Sequence, residues 1–170
     1  MATPTEMTAA FWKSLKSDRT VMLGLATDRE VHPRPMTALI EGDEDGPVWF
    51  FTATDTDLAE SIRAPRAAFF TLASKNHELF ATVHGRISHD RDPDMVDRLW
   101  NPFVAAWYKD GKDDPKLALL RFDVDDAQLW LNGSSLVAGV KAVLGIDPKR
   151  DYRDKVASVR LDNDGTDARH

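Results

Sequence analysis

The sequence predicts a mainly β protein, a small β-barrel with helical additions. Six or seven short segments alternate polar and apolar residues, or run apolar, in the manner of strands at close spacing. The helical patterns between them are short and amphipathic, which suits helices tucked around one barrel. The 170 residues bury one good core and are short for two, and no repeat or low-complexity linker divides them.

Residues 5–17 place Met7, Ala10, Phe11, Ser14 and Leu15 at helical spacing, with Thr5 as N-cap. Residues 20–27 read as a strand, which Asp28-Arg29-Glu30 turns into the next segment. In residues 31–40, Arg34, Met36, Ala38 and Ile40 share one face of an extended stretch, and Pro35, Thr37 and Leu39 share the other. Pro33 and Pro35 remove two ladder donors, so this strand belongs at an edge or is irregular at its start. After an acidic turn with glycines at 41–46, the run VWFFTA at 48–53 fits a strand buried on both faces. It completes a hairpin with 31–40. A loop at 52–56 opens a helix over 55–63, which ends before Pro65.

Residues 66–73 and 79–88 are strands on either side of a polar turn. Asp92-Pro93 starts a helix carrying Met95, Val96, Leu99 and Trp100. Asn101-Pro102 breaks it, a second helix resumes, and residues 109–115 form a charged loop. Residues 117–124 and 127–131 read as two strands joined by a tight acidic turn. A last helix over 134–144 is capped by Gly145, and 156–161 is a final strand.

The net charge of −6 and the dispersed lysines and arginines give no basic footprint, so no nucleic-acid partner is expected. The absence of cysteine excludes disulfides, thiolate metal sites and cysteine nucleophiles. No stretch has signal-peptide or membrane-span character, and a cytoplasmic protein without membrane contact is expected. Histidines 32, 77, 84, 89 and 170 show no metal-ligand spacing, so no metal site is expected. Gly133-Ser134-Ser135 reads as a helix cap rather than a nucleophile. No glycine-rich nucleotide signature and no acid–base pair stands out, and catalytic residues stay unassigned.

The most suggestive stretch is the hairpin over 31–53 with its exit at 54–56. A strand delivers Arg34, and a hydroxyl-rich helix entrance follows, a combination suited to an anion. RPM at 34–36, WFFT at 49–52, the tryptophan–proline block at Trp100, Pro102, Ala106 and Trp107, DDP at 113–115 and the late Trp130 together resemble one family. These are the pyridoxamine-phosphate-oxidase-like flavin-binding split barrels, in their bacterial general stress protein branch.

The resemblance covers roughly residues 5–161. It implies a single six-stranded Greek-key split-barrel domain over 1–161 with a polar tail at 162–170. It also implies a homodimer with flavin, normally FMN (FAD or riboflavin possible), at the subunit interface. Carried over by position, Arg34 lies near the flavin phosphate and ribityl chain. Pro35, Met36 and Thr37 run beside the ring, Phe51 and Thr52 line its edge, and Thr56 contacts phosphate. Trp107 and Trp130 are the aromatics placed near a flavin. The lysine that the family puts on the phosphate is replaced by Leu58, so Leu58→Lys is expected to tighten FMN. The implied function is a flavin-dependent oxidoreductase of the stress-protein type with unnamed donor and acceptor. The alternative is a flavin-binding, flavin-buffering or structural dimer without turnover. Pyridoxamine-phosphate oxidation is not expected, since no basic cluster for its substrate phosphate can be assigned.

Overall fold

The computed structural model describes residues 3–42, 46–131 and 156–161. The first helix, α1 (Pro4–Asp18), begins at Thr3 rather than at the expected Thr5 cap. Pro4 fills the first helical position, where a missing N–H costs nothing. Thr3 Oγ1 accepts the Glu6 N–H at 3.2 Å, and Glu6 Oε2 accepts the Thr3 N–H at 2.8 Å, a reciprocal capping box. Met7, Phe11, Trp12 and Leu15 are buried along one face of α1. Burying Phe11 and Leu15 contributes about 1.5–3 kcal/mol each.

Among the described residues eight strands form one antiparallel sheet in the order β2 (Arg34–Thr37), β1 (Thr20–Leu25), β5 (Arg66–Ala73), β6 (Leu79–Asp90), β7 (Leu117–Leu131), β4 (Val48–Ala53) and β3 (Leu39–Ile40), with β8 (Val156–Arg160) added on β7. The terminal strands of that path, β2 (Arg34–Thr37) and β3 (Leu39–Ile40), are separated in the chain by Ala38 alone. The sheet therefore curls until its two edges meet at one residue. This corrects the simple hairpin expected over 31–53. Arg34–Thr37 pairs with β1 (Thr20–Leu25), and only Leu39 and Ile40 pair with β4 (Val48–Ala53). Closing a barrel requires a segment that leaves one neighbour and takes up the other. Counting β2 and β3 as one strand and setting β8 aside recovers the six strands of the expected barrel.

β5 (Arg66–Ala73) and β6 (Leu79–Asp90) form the expected pair around the polar turn. β7 (Leu117–Leu131) overturns the expectation of two strands, because it runs unbroken for 15 residues. The acidic stretch at 123–126 is a bulge: His84 pairs with Asp126 and Gly85 with Val124, which leaves Asp125 without a partner on β6. Glycine is required opposite it, since a Cβ at position 85 would lie 2.1 Å from the Asp123 carbonyl oxygen.

The barrel interior holds Phe50, Phe70 and Phe122, all fully buried, with edge-on ring pairs at 6.2 and 5.0 Å. A second cluster of Leu39, Trp49, Met95, Leu99 and Leu119 lies under α3 (Pro93–Leu99), so β4 is buried on both faces as its composition predicts. Trp49 Nε1 donates to Asp90 Oδ2 at 3.1 Å across this layer. The helix after β4, α2 (Asp57–Ser61), is shorter than the expected 55–63, with Ile62 as its C-cap. The expected helix at 134–144, Gly133-Ser134-Ser135 and the tail at 162–170 lie outside the described residues. Among the described residues no helix is long and apolar enough to cross a membrane.

Candidate functional site

The outer faces of β2, β3 and β4 form the floor of a cleft of about 940 Å³. Because side chains alternate across a strand, Pro35, Thr37, Leu39, Phe51 and Ala53 face outward into it, while Val48 and Phe50 fill the barrel. One wall is α4 (Pro102–Ala105) with the residues after it. Asn101 builds this wall: its Oδ1 accepts the Phe103 and Val104 N–H groups at 3.0 and 3.1 Å, and its Nδ2 donates to the Leu99 carbonyl. The helix so fixed and the turn after it bring Phe103, Val104, Trp107 and Tyr108 to the cleft. Phe51 meets Trp100 edge-on at 5.9 Å, and Trp100 packs beside Tyr108 at 6.3 Å. Phe103 and Trp107 are 78% and 84% exposed, which is unusual for side chains of this size.

The opposite wall is polar. It consists of the last turn of α1 and its exit, Lys16 to Thr20, with Lys75 from the β5–β6 turn. Arg19 caps α1 in the left-handed conformation, φ 60°, and its carbonyl accepts the Ala38 N–H at 2.7 Å. The point where the barrel closes is thereby tied to the wall of the cleft. Asp18 Oδ2 accepts the Lys75 N–H at 2.9 Å, which holds the β5–β6 turn against the helix.

Within the cleft the only described group with a resolved shift in acidity is Tyr108. Partial burial, with a smaller contribution from the nearby Asp114 carboxylate, raises its pKa to about 12. It is therefore neutral at physiological pH and serves as a hydrogen-bonding group.

Of the residues singled out from the sequence, Pro35, Met36, Thr37, Phe51 and Trp107 line this cleft together. Arg34, Thr52, Thr56 and Trp130 are not among its lining residues. Arg34 points the other way from Pro35 on the same strand, and its buried Nε has no hydrogen-bond partner among the described residues. Thr52 is buried, and its hydroxyl lies 3.2 Å from that of Thr56. Thr56 Oγ1 donates to the Ala53 carbonyl and accepts the Ala59 N–H as the cap of α2. Trp130 pairs with Phe80 on β6 and with Val156 on β8.

Leu58 is 0% exposed and part of the main core. A lysine there would enter the hydrophobic interior, so the simple restoration of a phosphate cation does not follow. The surroundings of α2 point the same way. A second cavity of about 580 Å³ beside it is lined by four carboxylates, Asp28, Glu30, Asp57 and Glu60, against two guanidiniums, Arg63 and Arg66. Arg66 is already committed to the Ser61 carbonyl at 2.8 Å and to Asp28 at 3.7 Å. Sequence reasoning did not place Lys16 and Arg19 at the site. Their one local signal is that they flank the end of an amphipathic helix.

A barrel closed at one shared strand, with an aromatic cleft on its outer face, is the setting for comparison with known proteins. The pyridoxamine 5'-phosphate oxidase like family matches residues 6–150. The chain belongs to that family. It is similar in structure to a general stress family protein of Xanthomonas campestris pv. campestris, with 59% identity and a TM-score of 0.74, over 79% of this chain and 93% of that one. It is also similar to a general stress FMN/FAD binding protein of Xanthomonas citri, with 57% identity and a TM-score of 0.73, over 77% and 92%. A general stress protein 26 of Jannaschia sp. CCS1 shares 26% identity at a TM-score of 0.77, over 92% and 98%. No curated protein matches the chain. The fold is the split barrel of the FMN-binding type, mainly β with a few helices.

Proposed function

We propose that this member of the family is a flavin-binding protein of the stress type that works as an oxidoreductase in a homodimer. The observation that carries the reading is the cleft itself. Pro35, Met36, Phe51 and Tyr108 offer flat apolar walls to a tricyclic ring, and cations stand at the opposite side for an anionic tail. The residues present fit a flavin. The Xanthomonas citri relative, a general stress FMN/FAD binding protein at 57% identity, supports it. Pro35, Met36, Thr37 and Phe51 would hold the ring. Arg34, on the same strand as Pro35, points away from the cleft and is given no part in holding the ring.

A bound flavin supplies hydride acceptance and return, while the protein contributes placement and electrostatics. Tyr108, held neutral, can donate a hydrogen bond to a ligand without bringing charge into the apolar wall. Leu39, Phe51 and Val104 keep that wall apolar and exclude water from it. Phe103 and Trp107 stand exposed at the cleft, where a second copy of the chain would cover them and complete the site.

Titration of the purified protein with FMN, FAD and riboflavin tests the reading. Saturable binding of at least one, with visible flavin absorption that NADPH bleaches faster than free flavin, is the expected result. A protein that stays colourless with all three would sink it. Binding without accelerated reduction would favour a flavin carrier, a reading supported by the absence of an acid–base pair among the described cleft residues.

A further inference from the structure

We propose that Lys16, Arg19 and Lys75 form an anion subsite at the α1 end of the cleft, and that it takes the phosphate of a nucleotide. The proposal rests on the flavin reading for the ring but not for the position of any phosphate.

Three cations line the cleft there from two elements far apart in sequence, with Asp18 as the one carboxylate among the described lining residues. Asp18 is engaged with the Lys75 N–H at 2.9 Å. Among the described lining residues cations outnumber carboxylates at this end, on a chain whose net charge is −6. Cations in the last turn of a helix are common because they offset its terminal carbonyls, and that alone would explain Lys16 and Arg19. It does not explain Lys75, which the Asp18 bond brings in from the β5–β6 turn. The Lys75 ammonium makes no hydrogen bond or ion pair among the described residues. Arg19 lines the cleft and donates its Nε to the Lys16 carbonyl at 3.1 Å, which restricts the guanidinium.

A nucleotide is favoured over a small anion by what adjoins the cations. The same cleft continues into the aromatic wall of Phe51 and Tyr108, and about 940 Å³ lies at the upper end of the range for small-molecule sites, roughly 300–1,000 Å³. A planar ring on that wall with its phosphate among the cations uses both halves. The α2 entrance, with Thr56 closed on itself and carboxylates around it, offers a phosphate much less.

The phosphate could belong to the flavin itself or to a second nucleotide, and one set of titrations separates the two. The full-length protein is titrated with riboflavin, FMN, FAD and ADP at low and moderate salt, as wild type, as Lys16→Gln/Lys75→Gln, as Lys75→Arg, and as Lys13→Gln. Lys13 is exposed on α1 outside the cleft and serves as the charge control. The double variant is expected to weaken phosphate-bearing ligands about tenfold or more and to flatten their salt dependence. Riboflavin should stay within about twofold of wild type, and Lys75→Arg and Lys13→Gln should behave as wild type. FMN and FAD weakened alike assigns the flavin's own phosphate to the subsite. FAD weakened with FMN unchanged assigns the adenylate phosphate of FAD, and ADP weakened with FMN and FAD both unchanged assigns the phosphate of a second nucleotide. Unchanged affinity for all phosphate ligands, or riboflavin lost in equal measure, overturns the subsite. If wild type binds no riboflavin, the ring reading has failed, and ADP alone decides: weakening in the double variant sustains the subsite, and no effect or no binding overturns it.

Discussion

The hydroxyls of Thr52 and Thr56 lie 3.2 Å apart, and Thr56 has a single proton, which it directs to the Ala53 carbonyl at 3.0 Å. Thr52 must then be the donor in the pair, and Thr56 accepts both this bond and the Ala59 N–H. The corner between β4 and α2 is thus closed by its own hydrogen bonds. Thr56→Ala is expected to lower stability by about 1 kcal/mol, as the loss of a helix cap does. Thr56→Ser should retain most of it, as read by thermal melting. A Thr56→Ala protein with unchanged stability but weakened FMN binding would show that the hydroxyl serves a ligand instead.

Leu58→Lys puts a charge where the side chain is fully buried. An ammonium in that position loses its hydration without gaining a partner, a cost of several kcal/mol against a total stability of about 5–15 kcal/mol. The expected outcome is a protein that melts far lower or fails to express in soluble form. Leu58→Met should cost less than about 1.5 kcal/mol. A stable Leu58→Lys protein that binds FMN more tightly than wild type would restore the phosphate site first expected at this helix.

Much of the fold was legible because alternation survives in the strands that have one wet face. β5 starts and ends where its pattern does, and β4 reads as buried on both faces because Trp49 and Phe51 have α3 and its neighbours to cover them. Misreadings arose where local chemistry has two structural uses. Clustered aspartates favour turns, yet at 123–126 they serve a bulge that only Gly85, on another strand, makes possible. Residues 34–40 have one unbroken alternation, and nothing local reveals that the pairing partner changes at Ala38. The candidate site was half legible for the same reason. Pro35, Met36, Thr37 and Phe51 are carried by adjacent strands, whereas Lys16, Arg19 and Lys75 meet only through the closed barrel and the Asp18 bond.

Gly85→Ala follows from that bulge. Its Cβ would sit 2.1 Å from backbone oxygen, which cannot rotate away, so β6 and β7 must separate locally. A loss of about 3 kcal/mol is expected, the upper end for overpacking. Gly24→Ala is the control: its Cβ meets only side-chain atoms, the Phe69 ring at 2.9 Å and Pro33 Cγ at 3.0 Å, rather than backbone, and the cost should stay near about 1 kcal/mol. Equal losses from denaturant unfolding would mean that the bulge relaxes more easily than its geometry suggests.

Tyr108 provides a pH-dependent test of the cleft wall. Burial first, and Asp114 second, raise its pKa to about 12, above the usual value of 10 for the unfolded chain. The folded state therefore keeps its proton longer. This contribution to stability is fully present below pH 10 and is lost as pH rises from 10 to 12. In a Tyr152→Phe background, which leaves Tyr108 as the single tyrosine, phenolate absorbance should appear near pH 12. Asp114→Asn should shift it part of the way toward 10. A midpoint at 10 in the parent protein would show that Tyr108 is solvated.

Phe103 and Trp107 make the oligomer testable. Phe103 projects from the helix capped by Asn101 and Trp107 from the turn after it, and both are largely exposed, so neither contributes much to the fold of a single chain. In a dimer they would be the buried aromatic anchors, each worth about 2 kcal/mol or more to association. The wild-type protein is expected to scatter light as a dimer, at twice the 19.0 kDa chain mass. Phe103→Ser/Trp107→Ser should shift toward a single chain at micromolar concentration while melting within a few degrees of wild type. A wild-type monomer would remove the shared site. A double variant that stays dimeric would move the interface away from α4, and with it the idea that a second copy closes the cleft over Trp107.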